Sequence, residues 1–327
     1  ATGVIGVDVG GTNVKVGLLT EDGNLHYSTY FKTQSHRSPE VILADVADAV
    51  AQVQQQARAD GLSVDGVGMG VPATTDLAQQ HTLIMPNFAA GWFEFPAAEV
   101  LGNRTGLRVN LINDARAFVL AESKLGSGQG CSNVFGIVLG TGVGGGIVVN
   151  GRLYLGSSGL AGEFGHYIID PHGVRCGCGS VGCLETVASA PALVASVMRP
   201  LLHGRSPILY DMVEGDLNAL TAEHISRAAR EGDTVCLEAL QHVGEALGIA
   251  TASVAVLIGP ERIVVGGGLV GACDILFPII ETTWQRHAVV LGDHLPQLVT
   301  AKLSDPGVIG AALYARQVLE EMPVNTS

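Results

Sequence analysis

Charged residues are scarce in this chain, and the basic ones are the scarcer kind. They make up 15% of the 327 residues, and 18 lysines and arginines against 31 aspartates and glutamates leave a net charge of −13. So few and scattered basic residues disfavour a broad nucleic-acid-binding surface. A disordered chain is excluded as well, because such chains are poor in apolar residues, whereas 47% of this chain is hydrophobic. The composition predicts a globular protein with a large buried core.

The sequence also lacks a convincing membrane segment or leader. The uncharged stretch 125–151 is long enough to span a bilayer. Its glycines divide the valines and isoleucines into two short runs, however, which is the pattern of two buried strands and a turn. The N-terminus shows neither a cationic region nor a cleavage pattern. We therefore expect a cytoplasmic protein with no membrane partner and no nucleic-acid partner.

No Ser/Gly linker and no low-complexity block interrupts the chain. Instead, short apolar runs alternate with helical patterns. An apolar strand leads into Asp8, and Ser38-Pro39-Glu40 has the N-cap hydroxyl, first-turn proline and acid that start a helix. Beyond residue 190 the pattern is largely helical, with one buried strand at Ile263–Val265. This alternation predicts the α/β class, and two lobes sharing a cleft fit better than two separate domains.

Three apolar strands end in glycine-rich turns, which are Asp8-Val-Gly10-Gly11-Thr12-Asn13, Gly140-Thr141-Gly142-Val-Gly-Gly-Gly146 and Gly266-Gly267-Gly268. Glycine lets backbone N–H groups converge on an anion, and a threonine hydroxyl adds a donor. An acid at a strand end is well placed to hold Mg²⁺ through water. None of the turns has the Gly-Lys-Ser/Thr of a Walker motif or the following helix of a dinucleotide fingerprint. Each turn alone could be an ordinary tight turn, but three of them together suggest a bound nucleotide.

These motifs resemble those of a known family. The three turns are similar to the two phosphate motifs and the adenosine motif of actin-like sugar kinases. Glu163-Phe-Gly-His166 followed by Cys176-Gly-Cys178-Gly-Ser-Val-Gly-Cys183-Leu-Glu185 resembles the signature of the ROK (repressor, open reading frame, kinase) family within that superfamily. The resemblance extends from Gly3 to the final helix, where Asp305-Pro-Gly-Val-Ile-Gly-Ala-Ala fits as well.

The resemblance implies a two-lobed, actin-like (ribonuclease-H-like) α/β fold with a nucleotide and sugar cleft. We expect a small lobe of residues 1–113 plus 305–327 and a large lobe of residues 114–304. It further implies a homodimer, or a dimer of dimers, formed through the large lobe. The nucleotide-binding residues that it implies are Asp8, Gly10, Gly11, Thr12, Asn13, Thr141, Gly142, Gly267 and Gly268.

Three of the six cysteines, Cys176, Cys178 and Cys183, are clustered among glycines. Without a secretion signal, this spacing favours a metal over disulfides. His166 completes a Cys₃His set typical of structural zinc; the alternative is four residues that bind nothing, with the thiols merely reduced. The resemblance implies that the second ring nitrogen of His166 contacts a sugar hydroxyl, so that zinc shapes the sugar pocket without taking part in the chemistry.

Asn113-Asp114 lies where a buried strand meets a helix. Phosphoryl transfer to a hydroxyl needs a carboxylate that orients the hydroxyl and accepts its proton. The alternative is a helix N-cap, since both residues are common there. The resemblance favours Asp114 as the general base, and it implies that the sugar contacts are Asn87, Asn113, Asp114, Glu163, His166 and Glu185.

The implied reaction is the ATP-dependent phosphorylation of a hexose, and we expect glucose, phosphorylated at its 6-hydroxyl with Mg²⁺-ATP as donor. An amino sugar or cyclitol (N-acetylglucosamine, N-acetylmannosamine, kanosamine or a valienone-like compound) and a polyphosphate donor stay open. The substrate question is sharpened by Ala73, because the family usually carries glycine there. An actin-like ATPase switch is disfavoured by the cysteine cluster. Repressors of the family carry a DNA-binding segment before the first phosphate motif, whereas seven residues precede Asp8 here, so we expect an enzyme.

Overall fold

A computed structural model of the chain describes residues 2–78, 80–86 and 88–321. Its strands are β1 (Thr2–Val9), β2 (Asn13–Thr20), β3 (Leu25–Lys32), β4 (Ser63–Val71), β5 (Thr74–Asp76), β6 (His81–Ile84), β7 (Val109–Asn113), β8 (Val134–Leu139), β9 (Val143–Val149), β10 (Arg152–Tyr154), β11 (Arg262–Gly266) and β12 (Gln297–Thr300). Its helices are α1 (Pro39–Ala59), α2 (Ala97–Thr105), α3 (Asp114–Leu125), α4 (Glu185–Ala188), α5 (Ala190–Leu202), α6 (Pro207–Met212), α7 (Ala222–Arg230), α8 (Thr234–Ile258), α9 (Cys273–His287) and α10 (Pro306–Glu321). The predicted α/β class is confirmed.

Contacts divide the chain into two compact units. The first unit comprises residues 1–132, 146–162 and 302–327, and the second comprises residues 133–145 and 163–301. Residues 114–132 and 146–162, which the sequence prediction placed in the large lobe, group with the first unit in this division. The lobe boundaries and their roles stay predictions.

The sheet of the first unit has the strand order β3-β2-β1-β4-β7. β1, β4 and β7 are parallel, and Asp8 lies beside Gly70, as Val71 lies beside Asn113. The carboxyl ends of these strands therefore share one edge of the sheet, and Asp8 and Asn113 are both placed at that edge. Across the antiparallel β1–β2 pair, Asp8 faces Lys15.

Close helix–sheet packing accounts for several glycines that the turns do not use. A Cβ atom on Gly6 would lie 1.9 Å from the carbonyl oxygen of Val308, and one on Gly68 would lie 1.8 Å from that of Ala311. Both carbonyls belong to α10, so no larger residue fits where this helix crosses the sheet. The apolar residues of α1 form a core with the other face of the same sheet.

The second sheet has the strand order β10-β9-β8-β11-β12, and the division between the units falls within β9. In the second unit, β11 runs parallel to β8 and β12. The helix α8 is long and apolar enough to cross a membrane by length and composition, but 56% of its most apolar window is buried. It packs against α5, α7 and α9, as the core helix of a globular unit does.

The expectation of a largely helical chain beyond residue 190 missed one strand, β12. This strand has four residues, of which two are exposed and two half-buried, so it carries no apolar run that would predict it. Helix α9 was not singled out either, because Pro278 in its interior interrupts the helical pattern.

Candidate functional site

The first glycine turn joins β1 to β2 and is held by its own backbone and by Thr33. The N–H of Gly10 donates to the carbonyl of Asn13 (3.0 Å). The fully buried Thr33 donates its hydroxyl to the carbonyl of Gly10 (2.6 Å) and its N–H to that of Thr12 (3.0 Å). A Cβ on Gly11 would meet no atom within 4 Å, so the tip of the turn is open to a ligand. Thr33 lies twenty residues beyond the turn, and no local pattern identified it.

Asp8 is a partly buried carboxylate with little charge compensation. Burial raises the pKa of Asp8 to about 6; Lys15 opposes this rise in part, and Asp305 adds a smaller rise. The Lys15 ammonium pairs with Asp305 instead (2.9 Å). Gly307 leaves room for the carboxylate, because a Cβ there would lie 2.4 Å from Asp8 Oδ2. Near the same turn, the buried Oδ1 of Asn13 has no hydrogen-bond partner among the described residues. A cation beside Asp8 would favour its ionised form.

Asn113 and Asp114 have different roles at the start of α3. The Asn113 Oδ1 accepts the N–H groups of Ala115 (3.0 Å) and Arg116 (3.3 Å), while its Nδ2 donates to the carbonyl of Ala73 (3.2 Å). Asn113 is therefore the N-cap. Asp114 occupies the first turn, where one carboxylate oxygen accepts the N–H of Ala115 (2.8 Å). The capping explanation thus applies to Asn113, and Asp114 is not needed for it.

A second buried carboxylate fixes the other end of α3. Glu122 is fully buried and accepts the N–H groups of Ser127 (2.8 Å), Lys302 (3.0 Å) and Leu303 (2.8 Å). These bonds anchor the helix that carries Asp114. Sequence reasoning missed Glu122 because a glutamate in a helix is ordinarily solvated.

The second glycine turn joins β8 to β9 within the second unit. The N–H of Gly140 donates to the carbonyl of Gly142 (2.9 Å), and the side chain of Thr141 is exposed at the tip. The N–H of Val143 donates to Oε2 of Glu185 (2.9 Å), and a Cβ on Gly142 would lie 2.6 Å from that oxygen. The carboxylate of Glu185 therefore lies directly against the turn.

His166, Cys176, Cys178 and Cys183 converge, with their ligand atoms all within 4.8 Å of one another. Cys176 Sγ lies 3.8 Å from His166 Nδ1, and the sulfurs of Cys178 and Cys183 are 3.7 Å apart. A tetrahedron with zinc–sulfur bonds of about 2.3 Å has edges of about 3.8 Å, so the four groups fit zinc. A backbone hydrogen bond from Ser180 lowers the pKa of Cys178 to about 7, whereas burial raises that of Cys183 to about 12; a bound cation favours both thiolates.

The short 3₁₀ turn Phe164–His166 connects two of the predicted sugar contacts. Glu163 precedes the turn and is exposed, and His166 ends it. Because Nδ1 of His166 faces the cysteines, Nε2 lies on the opposite side of the ring. That nitrogen is the one left for a ligand.

The third glycine turn follows β11. Gly267 has a φ of 92°, and a Cβ on it would lie 2.3 Å from the carbonyl oxygen of Leu139, so glycine is required there. Gly268 has open space around it. It borders a cavity of about 280 Å³ whose other lining residues are Ala222, Glu223, Ser226, Arg227, Arg230, Leu269, Gly271 and Ala272. Arg230 is held there by Asp274 (2.7 and 2.9 Å). Sequence reasoning missed the contribution of α7 because it lies about forty residues earlier in the chain.

The predicted site residues thus form groups within each unit. Those of the first unit are Asp8, Gly10, Gly11, Thr12, Asn13, Asn113 and Asp114, and those of the second unit are Thr141, Gly142, Glu163, His166, Cys176, Cys178, Cys183, Glu185, Gly267 and Gly268. Asn87 lies outside the described residues. The individual roles assigned to these residues stay predictions.

Comparison with known proteins gives consistent matches. The model of the ROK family matches residues 4–318. A glucokinase of Thermotoga maritima is 34% identical over 310 residues, 94% of this chain and 96% of that protein. An N-acetylmannosamine kinase of Escherichia coli O157:H7 is 29% identical over 95% of this chain and 98% of its own length. A crystal structure of a ROK glucokinase from Streptomyces griseus in complex with glucose and AMPPNP has a TM-score of 0.77 and 34% identity, covering 96% of this chain and 99% of that one. The predicted two-lobed, actin-like fold is confirmed.

Proposed function

The chain belongs to the ROK family, and on that premise we propose that it transfers the terminal phosphoryl group of ATP to the 6-hydroxyl of glucose. It is a sugar kinase, because glucokinases match it over nearly its whole length. That match is the observation that supports glucose as the substrate. A cytoplasmic location is part of the proposal, and it is supported by the burial of 56% of the most apolar window of α8.

Asp114 acts as the general base in this proposal. Its carboxylate accepts the proton of the sugar hydroxyl, whose oxygen then bonds to the γ-phosphorus while the bond to the β-phosphate oxygen breaks and ADP leaves. Capping of α3 by Asn113 supports this role, because it leaves Asp114 unneeded as the N-cap. The three backbone bonds to Glu122 support it further, since a base must be held in place.

The glycine turns bind the nucleotide. Backbone N–H groups of the turns, with the hydroxyl of Thr12 in the first and that of Thr141 in the second, would contact phosphate oxygens, and Asp8 would hold Mg²⁺, whose charge would offset that of the phosphates. The raised pKa of Asp8 supports this assignment, because a cation would compensate its buried charge. The cavity beside Gly268 is of a size for a nucleoside, with Gly267 keeping the turn close to β8.

In this proposal the sugar is held by hydrogen-bonding side chains, which are Asn87, Asn113, Asp114, Glu163, His166 and Glu185. A zinc ion on His166, Cys176, Cys178 and Cys183 would order the segment that carries His166 and take no part in the reaction. The fit of the four ligand atoms to tetrahedral spacing supports zinc.

A kinase for an N-acylated amino sugar is the second candidate. The N-acetylmannosamine kinase relative favours it. Ala73 also bears on the choice of sugar, since it is buried just after β4 and its carbonyl accepts a hydrogen bond from Asn113. A methyl group there changes the space beside a proposed sugar contact. Cyclitols and a polyphosphate donor belong to the same test.

We further propose a homodimer formed through the second unit. Large apolar side chains near the C-terminal end of α8 face solvent, with Val256 47% and Leu257 82% exposed. Covering them against a second copy would remove this apolar surface from water. Size-exclusion chromatography with light scattering, compared with Leu257→Glu, tests the assembly.

A coupled ADP-release assay over hexoses, N-acetylated amino sugars and cyclitols tests the reaction. Glucose should give the highest kcat/KM with Mg²⁺-ATP, and Asp114→Asn should lower kcat by about 10³-fold while leaving the KM for glucose within about threefold. Preference for an N-acetylated sugar would replace glucose by the second candidate. The same panel with polyphosphate in place of ATP, measured by the phosphorylated sugar formed because no ADP is released, identifies the donor.

A further inference from the structure

The second glycine turn, residues 140–143, is contacted at one residue by the two segments that flank the metal loop, which we define as residues 166–183. Glu185 follows this loop by two residues, and its Oε2 accepts the N–H of Val143 (2.9 Å). Gly165 immediately precedes the loop, and a Cβ there would lie 2.0 Å from the carbonyl oxygen of Val143. The N–H and the C=O of one turn residue are thus each in contact with a residue just outside the loop.

The carboxylate of Glu185 also reaches the ligand cluster itself. Its Oε1 lies 3.9 Å from the sulfur of Cys176, while its Oε2 is pressed against Gly142, where a Cβ would come within 2.6 Å. One side chain therefore spans from a metal-ligand residue to the turn. The side chain of Glu185 is therefore a physical route by which a shift at the cluster can reach the turn.

Two further contacts connect the same turn, and the strand that leads into it, to the segments beside the metal loop. The N–H of Ala190, at the start of α5, donates to the carbonyl of Gly140 (2.8 Å). Phe164 packs edge-on against Phe135 of β8, with ring centroids 5.0 Å apart. The strand that leads into the turn is therefore packed on the segment that leads into the metal loop.

We propose that Glu185 is a positioning residue for the phosphate-binding turn, and that through it the metal loop sets the affinity for the nucleotide as well as for the sugar. Because the N–H of Val143 donates to Glu185, the N–H groups of Thr141 and Gly142 would be the ones that bind phosphate. This inference rests on the proposed function, because it takes the turn to bind nucleotide phosphates. It differs from a sugar contact alone, since it predicts an effect on nucleotide binding when no sugar is present.

Isothermal titration calorimetry with Mg²⁺-AMPPNP, without sugar, separates these roles. Glu185→Ala removes the acceptor of the Val143 N–H and should weaken the nucleotide Kd by about tenfold, the effect of losing one hydrogen bond to a charged group. Glu185→Gln keeps an acceptor oxygen and should stay within about twofold of wild type. Glu238→Ala, at an exposed glutamate of α8, is the matched control, and zinc content by mass spectrometry should be equal in all four proteins.

The outcomes are distinct. Equal nucleotide affinity of wild type and Glu185→Ala, with only sugar binding weakened, would overturn the positioning role while leaving the kinase proposal intact. A wild type that binds no nucleotide would overturn the kinase proposal and this inference with it. If Glu185→Ala does not fold, wild type stripped of zinc by a chelator is titrated instead: weaker AMPPNP binding that zinc restores supports the inference, and unchanged binding refutes it.

Discussion

The first and second glycine turns have the same outline and are held in different ways. Each joins two strands through glycines and a threonine, yet the first is held by Thr33 and carries its own partly buried acid, Asp8. The second turn carries no acid and relies on the carboxylate of Glu185. In the proposed function the two similar motifs have different roles: the first would supply charge for a cation, and the second would depend on the metal loop for its shape. Changes to the two turns should therefore fail in different ways.

Among changes that distinguish the two turns, the largest expected effect is at Asp8. Asp8→Asn removes the charge that would hold Mg²⁺ and keeps the shape, so kcat should fall by about 10²–10³-fold. Steady-state kinetics at saturating glucose and Mg²⁺-ATP measures this. Asp48→Asn, at an exposed acid on α1, should leave kcat unchanged; an Asp8 variant with normal kcat would remove the distinction between the turns.

Loss of a metal ligand should disturb the second turn alone. Cys183→Ser replaces a buried thiol of the cluster, so the zinc content should fall from one ion per chain to near zero. The melting temperature should fall by about 10 °C, as expected for the loss of a structural metal. Mass spectrometry and thermal unfolding report these changes. Cys131→Ser, outside the cluster, is the control, and a Cys183 variant that keeps its zinc would contradict the ligand set.

The space beside Asp8 can be tested by a single methyl group. Gly307→Ala would place a Cβ 2.4 Å from Asp8 Oδ2, so the carboxylate must move, and kcat/KM should fall by about tenfold or more. Gly70→Ala is the matched control, because its Cβ would meet its neighbours at ordinary distances of 3.6–3.8 Å. Equal activities of the two variants would show that the position of Asp8 is unimportant.

A smaller effect is expected at Thr33. Thr33→Val keeps the volume but removes the hydroxyl that donates to the carbonyl of Gly10. The KM for ATP should rise by about five- to tenfold, from the loss of one buried hydrogen bond. Thr33→Ser keeps the hydroxyl and should restore most of the affinity; if Ser and Val behave alike, the hydroxyl does not support the turn.

The pH dependence of stability should also distinguish the two turns, because the first carries the partly buried Asp8. The pKa of Asp8 is about 6 in the folded protein against 3.8 ordinarily, so between these values the folded state binds more protons than the unfolded state. Its contribution to stability is therefore lost as the pH rises from about 4 to about 6, by up to about 3 kcal/mol. The stability gap between Asp8→Asn and wild type, both free of metal, should widen over that range in urea titrations; a constant gap would contradict the raised pKa.

The features that the sequence predicted correctly are formed by residues close to one another along the chain. The turn at Gly10, the start of α3 at Asn113 and the convergence of Cys176 with Cys183 each lie within a short segment whose residue types state the chemistry. The side chains that hold these features come from elsewhere: Thr33 and Glu122 bind backbone groups that only the tertiary fold brings near them. Their residue types give no sign of those contacts.

The glycines likewise differ in whether the local sequence or a tertiary contact explains them. Gly267 directly follows β11 and has a positive φ, which a glycine-rich turn predicts. Gly6 and Gly68 lie inside strands, where the crossing of α10 excludes a side chain. The sequence shows an unusual number of glycines, and the helix–sheet contacts explain these two, which lie outside the turns.

The proposed reaction is the transfer of the terminal phosphoryl group of ATP to a sugar. Phosphorus-31 NMR of the protein with glucose and Mg²⁺-ATP tests it most directly, because it identifies the product and not only the consumption of ATP. We expect signals of glucose 6-phosphate and ADP in equal amounts, and we expect both signals to be lost with Asp114→Asn. ADP accompanied by inorganic phosphate, with no phosphorylated sugar from any member of the panel, would contradict it.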